Sequence, residues 1–330
     1  MKLHKDPKLF QQAVRATAQF KGIQEIYIEK DYWVTFALHT IFHDKIGQET
    51  VFKGGTALSK CYGFIERFSE DIDLVVLRSE DESNNQLTKK IKRISAVMEK
   101  AMPEVQVDNI TRKMGMNRKT AHEYNKAFKG DYGQIRDVVI VEATWLGYFE
   151  PYSTQKVTSY IYDMMIAKGQ EELGKTYNLT PFELNVLSAK RTLCEKIMSL
   201  VRFSYGENPI EDLKRKIRHT YDIHQLLKEK DITNFFNSPE FVEMLQKVAQ
   251  DDVESYKSNN WWLANHPNEA LIFAKPDETW NQLSSTYNTT FKNLVFGELP
   301  NETKIIKTLR SIRTRIETIE WDVKMGKKNS

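Results

Sequence analysis

The spacing of apolar residues predicts helices near the start of the chain and short strands behind them. Apolar side chains recur at helical intervals over 7–19 and again over 28–43. Strand patterns follow at 51–53, 71–77, 104–107 and 138–144, and an amphipathic helix is predicted over 84–102. A few strands that alternate with helices favour a small mixed sheet.

The pattern changes after Gly147. Residues 155–165 are rich in Val, Thr, Tyr and Ile and predict a strand, and 182–186 predict another before Ser188 caps a helix. Beyond that helix the apolar period is helical over 209–227, 239–249, 276–295 and 302–323. We therefore expect a domain over 1–175 that contains the sheet, and a helical domain over 176–330 with a frayed end from Gly326.

Composition narrows the class of protein. Of the 330 residues, 40% are hydrophobic and 28% are charged, and no apolar run approaches the roughly 20 residues of a membrane helix. The charged first residues lack a secretory signal pattern, so we expect a cytoplasmic protein. Cys61 and Cys194 are too few for a disulfide framework or a zinc cluster, and we interpret both as packing residues.

Two glycines at a predicted turn, Gly54 and Gly55, precede a strand that carries Asp71 and Asp73. The two-residue side-chain period of a strand puts both carboxylates on one face, where like charges need a cation. Mg²⁺ prefers carboxylate oxygens together with substrate phosphates. Glycines without a Cβ let the backbone approach a triphosphate and hold it through N–H groups. The segment therefore predicts a nucleotide and metal site.

The exact residues of these segments are more specific than the general pattern of a glycine pair followed by an Asp-x-Asp strand. Phe52–Lys60 and Arg67–Leu74 resemble the nucleotidyltransferases of the DNA polymerase β superfamily, and within it they are similar to the AbiEii/AbiGii toxin family, which includes the MenT group. The resemblance implies an α+β, polymerase β-type nucleotidyltransferase fold with a small mixed sheet and a helical C-terminal domain that completes the active site.

The resemblance also implies an activity. The expected reaction transfers NMP from an NTP to an acceptor hydroxyl and releases pyrophosphate, with Mg²⁺ or Mn²⁺ held by Asp71 and Asp73. The implied acceptor is the 3′ end of tRNA. The implied biological role is a toxin of an abortive-infection or type IV toxin–antitoxin system, countered by an antitoxin encoded nearby. The resemblance leaves open whether that antitoxin forms a stable complex with this protein.

A second block covers 189–202 and 218–227. By its pattern alone it predicts a helical hairpin whose apolar stripe carries one lysine and one aspartate, as in a structural ion pair. It is also similar to the second half of the AbiEii signature, in which the lysine and the aspartate are active-site residues. Carried over, these are Lys196, which would stabilise charge on the triphosphate, and Asp222, which would orient that lysine or act as a base.

Polymerase β-type sites add a third carboxylate that serves as metal ligand and general base. Glu142 is the candidate because its strand places it on the face of Val138 and Ile140, and Asp137 is the alternative on the other face. A solvated glutamate would give the same pattern.

Further candidates for nucleotide binding surround the glycine turn. Lysines neutralise phosphate charge, and Lys53 and Lys60 are either phosphate contacts or solvated side chains. Thr56 either donates to a phosphate or caps its helix, and Arg67 either reaches a phosphate or pairs with Glu70. The predicted nucleotide-binding set is Lys53, Gly54, Gly55, Thr56, Lys60, Ser69 and Lys196.

The C-terminal part has two basic segments. Residues 301–330 hold 5 Lys and 3 Arg against 3 Glu and 1 Asp, and 214–218 form a second basic cluster. Either segment follows a phosphate backbone or is a solvated helix face. Trp261, Trp262 and Tyr287 stack on bases or fill a core, and we favour the core. His219 and His224 do not share a helix face, so zinc is not expected.

Three alternative functions share parts of these motifs. An aminoglycoside-type nucleotidyltransferase uses the same metal site on a small molecule. Glycosyltransferases also use Asp-x-Asp, but they do not need the glycine pair. A catalytically inactive nucleotide- or RNA-binding protein would keep the fold without the transfer.

Overall fold

The computed structural model describes residues 1–130, 135–147 and 149–325, which divide into two compact units. The first unit comprises Met1–Gly63 and Phe68–Leu187, and the second comprises Phe64–Arg67 and the residues from Ser188 onward. Residues 176–187 belong to the first unit because they supply a strand of its sheet. The predicted frayed end at 326–330 lies outside the described residues.

The first unit is built on a mixed sheet of eight strands within the described residues. They are β1 Thr50–Lys53, β2 Ile72–Val76, β3 Glu104–Val105, β4 Arg112–Lys113, β5 Asn117–His122, β6 Val139–Thr144, β7 Tyr152–Val157 and β8 Phe182–Leu187. The order is β3-β5-β6-β2-β1-β8-β7, with β4 paired to β5. The β2–β6 and β1–β8 pairs are parallel, and the remaining pairs are antiparallel. The predicted α+β class with a mixed sheet is confirmed.

Six helices accompany this sheet in the described residues of the first unit. They are α1 Pro7–Lys21, α2 Glu25–His43, α3 Gly54–Ala57, α4 Asn84–Ala101, α5 Tyr160–Ala167 and α6 Glu171–Thr176. The short α3 continues as wider π-helical turns over Leu58–Tyr62. α4 begins with a capping box in which Ser83 and Gln86 satisfy each other's backbone N–H groups.

The alternation of residues along β2 decides which face of the sheet is open. Ile72 and Leu74 are buried on one face, and α2 and α4 contact the sheet. On the opposite face Val75 packs with Val51 and Leu187 at one end. The acids of the strand lie beside this apolar cluster, on the same face, because side chains alternate with a period of two.

The described residues of the second unit form α-helices joined by short turns. Its helices are α7 Ala189–Phe203, α8 Pro209–Arg215, α9 Ile217–Leu226, α10 Lys230–Phe236, α11 Pro239–Ser255, α12 Leu271–Ala274, α13 Pro276–Thr286 and α14 Glu302–Glu317. The segment Phe64–Arg67 joins this unit through a bridge between Arg67 and Val295. Trp262 and Tyr287 are buried in it, as expected of core residues, whereas Trp261 is 56% exposed, so the core prediction is wrong for that residue.

Several predicted elements differ from the structure. The strand predicted over 155–165 ends at Val157, because Ser159 accepts a hydrogen bond from the Tyr162 N–H and starts α5. The single helix predicted over 209–227 is interrupted at Lys216 and forms α8 and α9. Thr56 is not a helix cap, since α3 already begins at Gly54. Among the described residues, every helix is too short or too polar to cross a bilayer.

Candidate active site

Four charged residues lie opposite one another on four neighbouring strands of the sheet. Lys53 of β1 faces Asp73 of β2, Asp73 faces Glu142 of β6, and Glu142 faces Lys119 of β5. Directly opposed residues share a face, so these side chains form one line, which we call the charged row. The register therefore brings together two of the predicted carboxylates and the predicted Lys53, and adds Lys119.

Asp71 lies two residues before Asp73, on the other side of the buried Ile72. Its Oδ1 lies 3.4 Å from Nη1 of Arg136, and its side chain is 20% exposed. The charge of Asp71 contributes to the raised pKa of Asp73, so the two carboxylates are near enough to repel each other. This arrangement agrees with the same-face geometry expected of the strand.

Burial and neighbouring charges both act on the carboxyl group of Asp73. Burial raises its pKa to about 6, and the negative charges of Asp71 and Glu142 add to the shift, while Lys119 and Lys53 act in the opposite direction. When neighbouring carboxylates raise the pKa of a carboxyl group, a cation that binds between them stabilises its ionised form. Asp73 is therefore a physically reasonable cation ligand.

The glycine turn lies directly against this carboxylate. Gly54 has a φ of +83°, a conformation that residues with a side chain rarely adopt. A Cβ atom built at Gly54 would collide with Oδ2 of Asp73. The turn thus brings the start of α3 and its N–H groups next to the acidic strand.

Glu142 is held in its ionised form. Burial would raise its pKa, but the charge of Lys119 and hydrogen bonds from Asn117 and Lys119 outweigh burial and hold the pKa below its ordinary value. Nδ2 of Asn117 donates to Oε1 at 2.9 Å, and Nζ of Lys119 donates to Oε2 at 2.8 Å. Asp137, the alternative, is 60% exposed and lies 2.5 Å from Lys126.

The other predicted nucleotide-binding residues of this unit have partners within it. The hydroxyls of Thr56 and Ser69 lie 3.0 Å apart and tie the glycine turn to the acidic segment. Nζ of Lys60 is buried 2.5 Å from Oδ1 of Asp31, whose other oxygen accepts the Tyr160 N–H at 2.8 Å. A role for these residues in nucleotide binding stays a prediction.

Sequence reasoning missed a run of buried charges in α2. Nζ of Lys30 lies 3.0 Å from Oε2 of Glu70 and donates to the carbonyl oxygens of Arg136 at 2.7 Å and of Val138. Glu70 in turn accepts the Arg136 N–H at 2.8 Å. Lys30 therefore fixes the residue just before Asp71 and the segment that carries Arg136. The available signal was three consecutive charges, 29–31, inside an otherwise apolar helix.

Lys196 and Asp222 form a buried cluster in the second unit. Nζ of Lys196 lies 2.7 Å from Oδ2 of Asp222, and Arg67 makes a two-pronged contact with the same carboxylate through Nε at 2.6 Å and Nη2 at 2.7 Å. Arg67 is thus buried and paired with Asp222, where the sequence predicted either a phosphate contact or a pair with Glu70, and a phosphate contact stays a prediction. Burial lowers the pKa of Lys196, and Nδ1 of His219 lies 3.4 Å from its Nζ.

Most arginines in the basic segments contact groups of their own unit. Arg310 pairs with Asp277, Arg313 donates to the carbonyl of Ala274, and Arg315 donates to the carbonyls of Phe236 and Ser238. These contacts favour a structural interpretation of the charge in α14 over a nucleic-acid interface.

The described residues contain no converged group of three Asp, Glu, His or Cys side chains that would form a complete metal centre. Asp71 and Asp73 could supply only part of a coordination shell. That is the usual situation for Mg²⁺, which keeps water and takes substrate phosphates alongside one or two carboxylates.

Comparisons with known proteins identify the fold and the family of the chain. No curated protein sequence matches the chain. A solved structure of MenT4, a nucleotidyltransferase toxin of Mycobacterium tuberculosis H37Rv, is similar in fold, with a TM-score of 0.59 and 15% identity over 93% of this chain and 90% of that chain. The sequence model of the AbiEii nucleotidyl transferase toxin, type IV toxin–antitoxin system, matches residues 37–317. The chain therefore belongs to the AbiEii family of nucleotidyltransferase toxins.

Proposed function

We propose that this toxin transfers NMP from an NTP to the 3′-terminal hydroxyl of a tRNA, with Mg²⁺ or Mn²⁺ and release of pyrophosphate. The observation that carries the proposal is the contact between the glycine turn at Gly54 and the carboxylate of Asp73, inside a row that also contains Glu142. This combination suits a polyphosphate on one side and a divalent cation on the other.

Asp71 and Asp73 are the proposed cation ligands. Both offer hard oxygen atoms. Burial and, after it, repulsion by Asp71 and Glu142 raise the pKa of Asp73, and a bound cation relieves that repulsion. When bound, the cation supplies charge neutralisation for the phosphates and activation of the acceptor hydroxyl. Arg136, 3.4 Å from Asp71, holds that side chain in position.

The NTP is proposed to bind at the glycine turn. The N–H groups of Gly54 and Gly55 face the phosphates, and Lys53 contributes positive charge from the neighbouring end of the charged row. Thr56 and Ser69 hold the turn against the acidic strand through their 3.0 Å hydrogen bond. Lys60, in the π-helical turns that follow α3, is anchored by its ion pair with Asp31.

Glu142 is the proposed general base. It lies opposite Asp73 in the register, and its pKa is held low by Lys119, so it is ionised at neutral pH and can accept a proton from the acceptor hydroxyl. Asp137 is less suited because its carboxylate is exposed and paired with Lys126.

For Lys196 and Asp222 the proposal rests on the family signature. We expect transfer to require both residues, in addition to the structural role that their buried ion pair has in the second unit. The tRNA acceptor and the antitoxin encoded nearby rest on the same family resemblance, and the cytoplasmic location stays a prediction from the sequence.

The test is a transfer assay. Purified protein is incubated with each α-³²P-labelled NTP and bulk tRNA in Mg²⁺ or Mn²⁺, beside Asp73→Asn, and the RNA is resolved on a denaturing gel. Label on tRNA with the wild-type protein alone supports the proposal. Label on a hydroxylated aminoglycoside instead of tRNA would favour the small-molecule alternative, and RNA binding without any label would favour an inactive binding protein.

A further inference from the structure

The pairing of the short strands β4 and β5 places positively charged side chains opposite one another. Arg112 lies directly opposite Lys119, and Lys113 lies directly opposite Arg118. Like charges in directly opposed positions of an antiparallel pair destabilise it. Both registered pairs of this ladder are cation against cation, so the arrangement needs anions to balance it.

Two of these four cations have carboxylate partners in the first unit, and a third bonds to a neutral hydroxyl. Lys119 contacts Glu142 at 2.8 Å and Lys113 contacts Glu104 at 2.5 Å, while Nε of Arg118 donates to Oγ of Ser95 at 3.1 Å. Arg112 is exposed, and no carboxylate of the described residues pairs with it. Of the two arginines, which both lack a carboxylate partner in the described part of the chain, Arg112 is the exposed one.

The register places Arg112 at the end of the charged row. Because it lies opposite Lys119, it continues the line that runs from Lys53 through Asp73 and Glu142. With about 4.8 Å between strands, Arg112 lies about 14 Å from Asp73 and about 19 Å from Lys53. A triphosphate bound at the glycine turn is too short to reach Arg112. A nucleic-acid strand whose reacting end lies at Glu142 would extend past Lys119 to Arg112.

The turn between β4 and β5 is fixed in place and exposes apolar side chains. Oγ1 of Thr88 and Nε1 of Trp145 donate to the Gly115 carbonyl at 2.8 and 3.0 Å. The side chains of Met114 and Met116, on either side of that glycine, are 61% and 45% exposed. A turn that is already ordered loses little conformational entropy when a partner binds to it.

We propose that the hairpin Arg112–Lys119 is the docking site for the nucleic-acid acceptor, with Arg112 on a backbone phosphate near its reacting end. The hairpin contains four cations and no acidic residue, which suits a polyanion. Met114 and Met116 offer polarizable, apolar contacts to unpaired bases, so the occupant is the single-stranded end of an RNA. This inference rests on the proposed function and names the surface that holds its acceptor.

The experiment measures RNA binding without catalysis. A 5′-fluorescein-labelled single-stranded RNA is titrated with protein in the absence of NTP, and anisotropy is followed at several salt concentrations. Arg112→Gln is expected to raise Kd several-fold and to reduce the slope of log K against log salt by about 0.7, the value for one contact with a single-stranded phosphate. Arg112→Lys should keep most of the affinity.

Lys8→Gln, which removes an exposed cation of α1, is the matched control and should bind RNA as the wild type does. The folded state provides a second check, because removing Arg112 relieves the repulsion with Lys119 and should not lower Tm. RNA binding by Arg112→Gln equal to that of the wild type overturns the inference. Normal RNA binding by Arg112→Gln together with a raised KM for NTP also overturns the inference, because Arg112 would then act on the nucleotide.

The two proposals fail in different ways. A protein that binds RNA through Arg112 but labels no acceptor contradicts the proposed function and leaves the docking site intact. A protein that labels tRNA but whose RNA affinity and KM for tRNA do not change in Arg112→Gln contradicts the docking site alone.

Discussion

The carboxylate of Asp73 lies so close to Gly54 that a Cβ atom added there would collide with its Oδ2. The contact joins two features of the sequence that are nineteen positions apart, a left-handed turn and an acidic strand. It also makes the glycine necessary for two reasons, the positive φ and the space that the carboxylate occupies.

Gly54→Ala is expected to abolish transfer and to lower stability by about 1–3 kcal/mol, since the new methyl group must displace Asp73 in addition to straining the backbone. Transfer is measured with labelled NTP and stability by urea unfolding.

Gly63→Ala is the matched control for this prediction. Gly63 also has a positive φ, +67°, but a Cβ there meets nothing within 4 Å. This variant should show the backbone strain and keep its activity. Equal activity of the two variants would show that the contact with Asp73 does not matter for transfer.

Cation binding should depend on pH through Asp73. Because its pKa is raised to about 6, Asp73 is mostly protonated at pH 5 and mostly ionised at pH 7, and a proton competes with the cation. We expect the affinity for Mn²⁺ to fall about tenfold from pH 7 to pH 5. Calorimetric titration measures it, and a flat affinity over this range would contradict the assignment of Asp73 as a ligand.

The raised pKa of Asp73 also determines how the stability of the metal-free protein changes with pH. A carboxyl whose pKa is higher in the folded than in the unfolded state makes folding less favourable as pH rises, here from its ordinary value of 3.8 to about 6. Asp73→Asn removes this loss. The variant should therefore gain stability relative to the wild type between pH 4 and pH 7, as measured by urea unfolding at each pH.

The buried pair of Lys30 and Glu70 predicts a strong double-mutant effect. Lys30→Met leaves Glu70 buried without its cation and removes two bonds to backbone carbonyls, which should cost about 3–5 kcal/mol. Lys30→Met combined with Glu70→Leu should recover part of that loss, because no unpaired charge stays buried. A double variant as unstable as Lys30→Met alone would contradict the pairing.

The sequence predicted the acidic strand because its signal is local. Ile72 and Leu74 alternate with Asp71 and Asp73, so a two-residue period defines both the buried face and the acidic face. Glu142 could be chosen for the same reason. Its position opposite Asp73 depends on the pairing of β2 with β6, which connects residues about seventy positions apart and leaves no local trace.

For β5 and the start of α5, the local residue composition does not match the secondary structure that forms. β5, Asn117–His122, contains mostly polar residues and was missed, although it supplies both groups that hold Glu142. Its place in the sheet comes from backbone pairing with β6, which overrides intrinsic strand preference. The start of α5 was predicted as strand because β-branched and aromatic residues surround Ser159, whose capping hydroxyl decides the outcome.

The buried cluster of the second unit gives variants whose structural and catalytic effects differ. Lys196→Met leaves Asp222 with its two-pronged contact to Arg67, so the variant should fold. Asp222→Asn leaves two buried cations without their counter-charge and should cost about 3–5 kcal/mol at pH 7. If the family signature applies, Lys196→Met loses transfer when activity is normalised to folded protein. Transfer at the wild-type rate would restrict Lys196 to a structural role.

The pH dependence of Asp222→Asn checks the electrostatic cause. Burial opposes ionisation of Asp222, but the charges of Arg67 and Lys196 outweigh it and hold its pKa well below the ordinary value of 3.8. The stability from this carboxylate is therefore complete above pH 4 and is lost as pH falls further, toward the depressed pKa. Urea unfolding should show a large difference between wild type and Asp222→Asn at pH 7 and a smaller one near pH 2. Asp322→Asn, at an exposed aspartate of the same unit, should match the wild type at both, and a gap for Asp222→Asn that does not narrow in acid would show that packing, rather than charge, is lost.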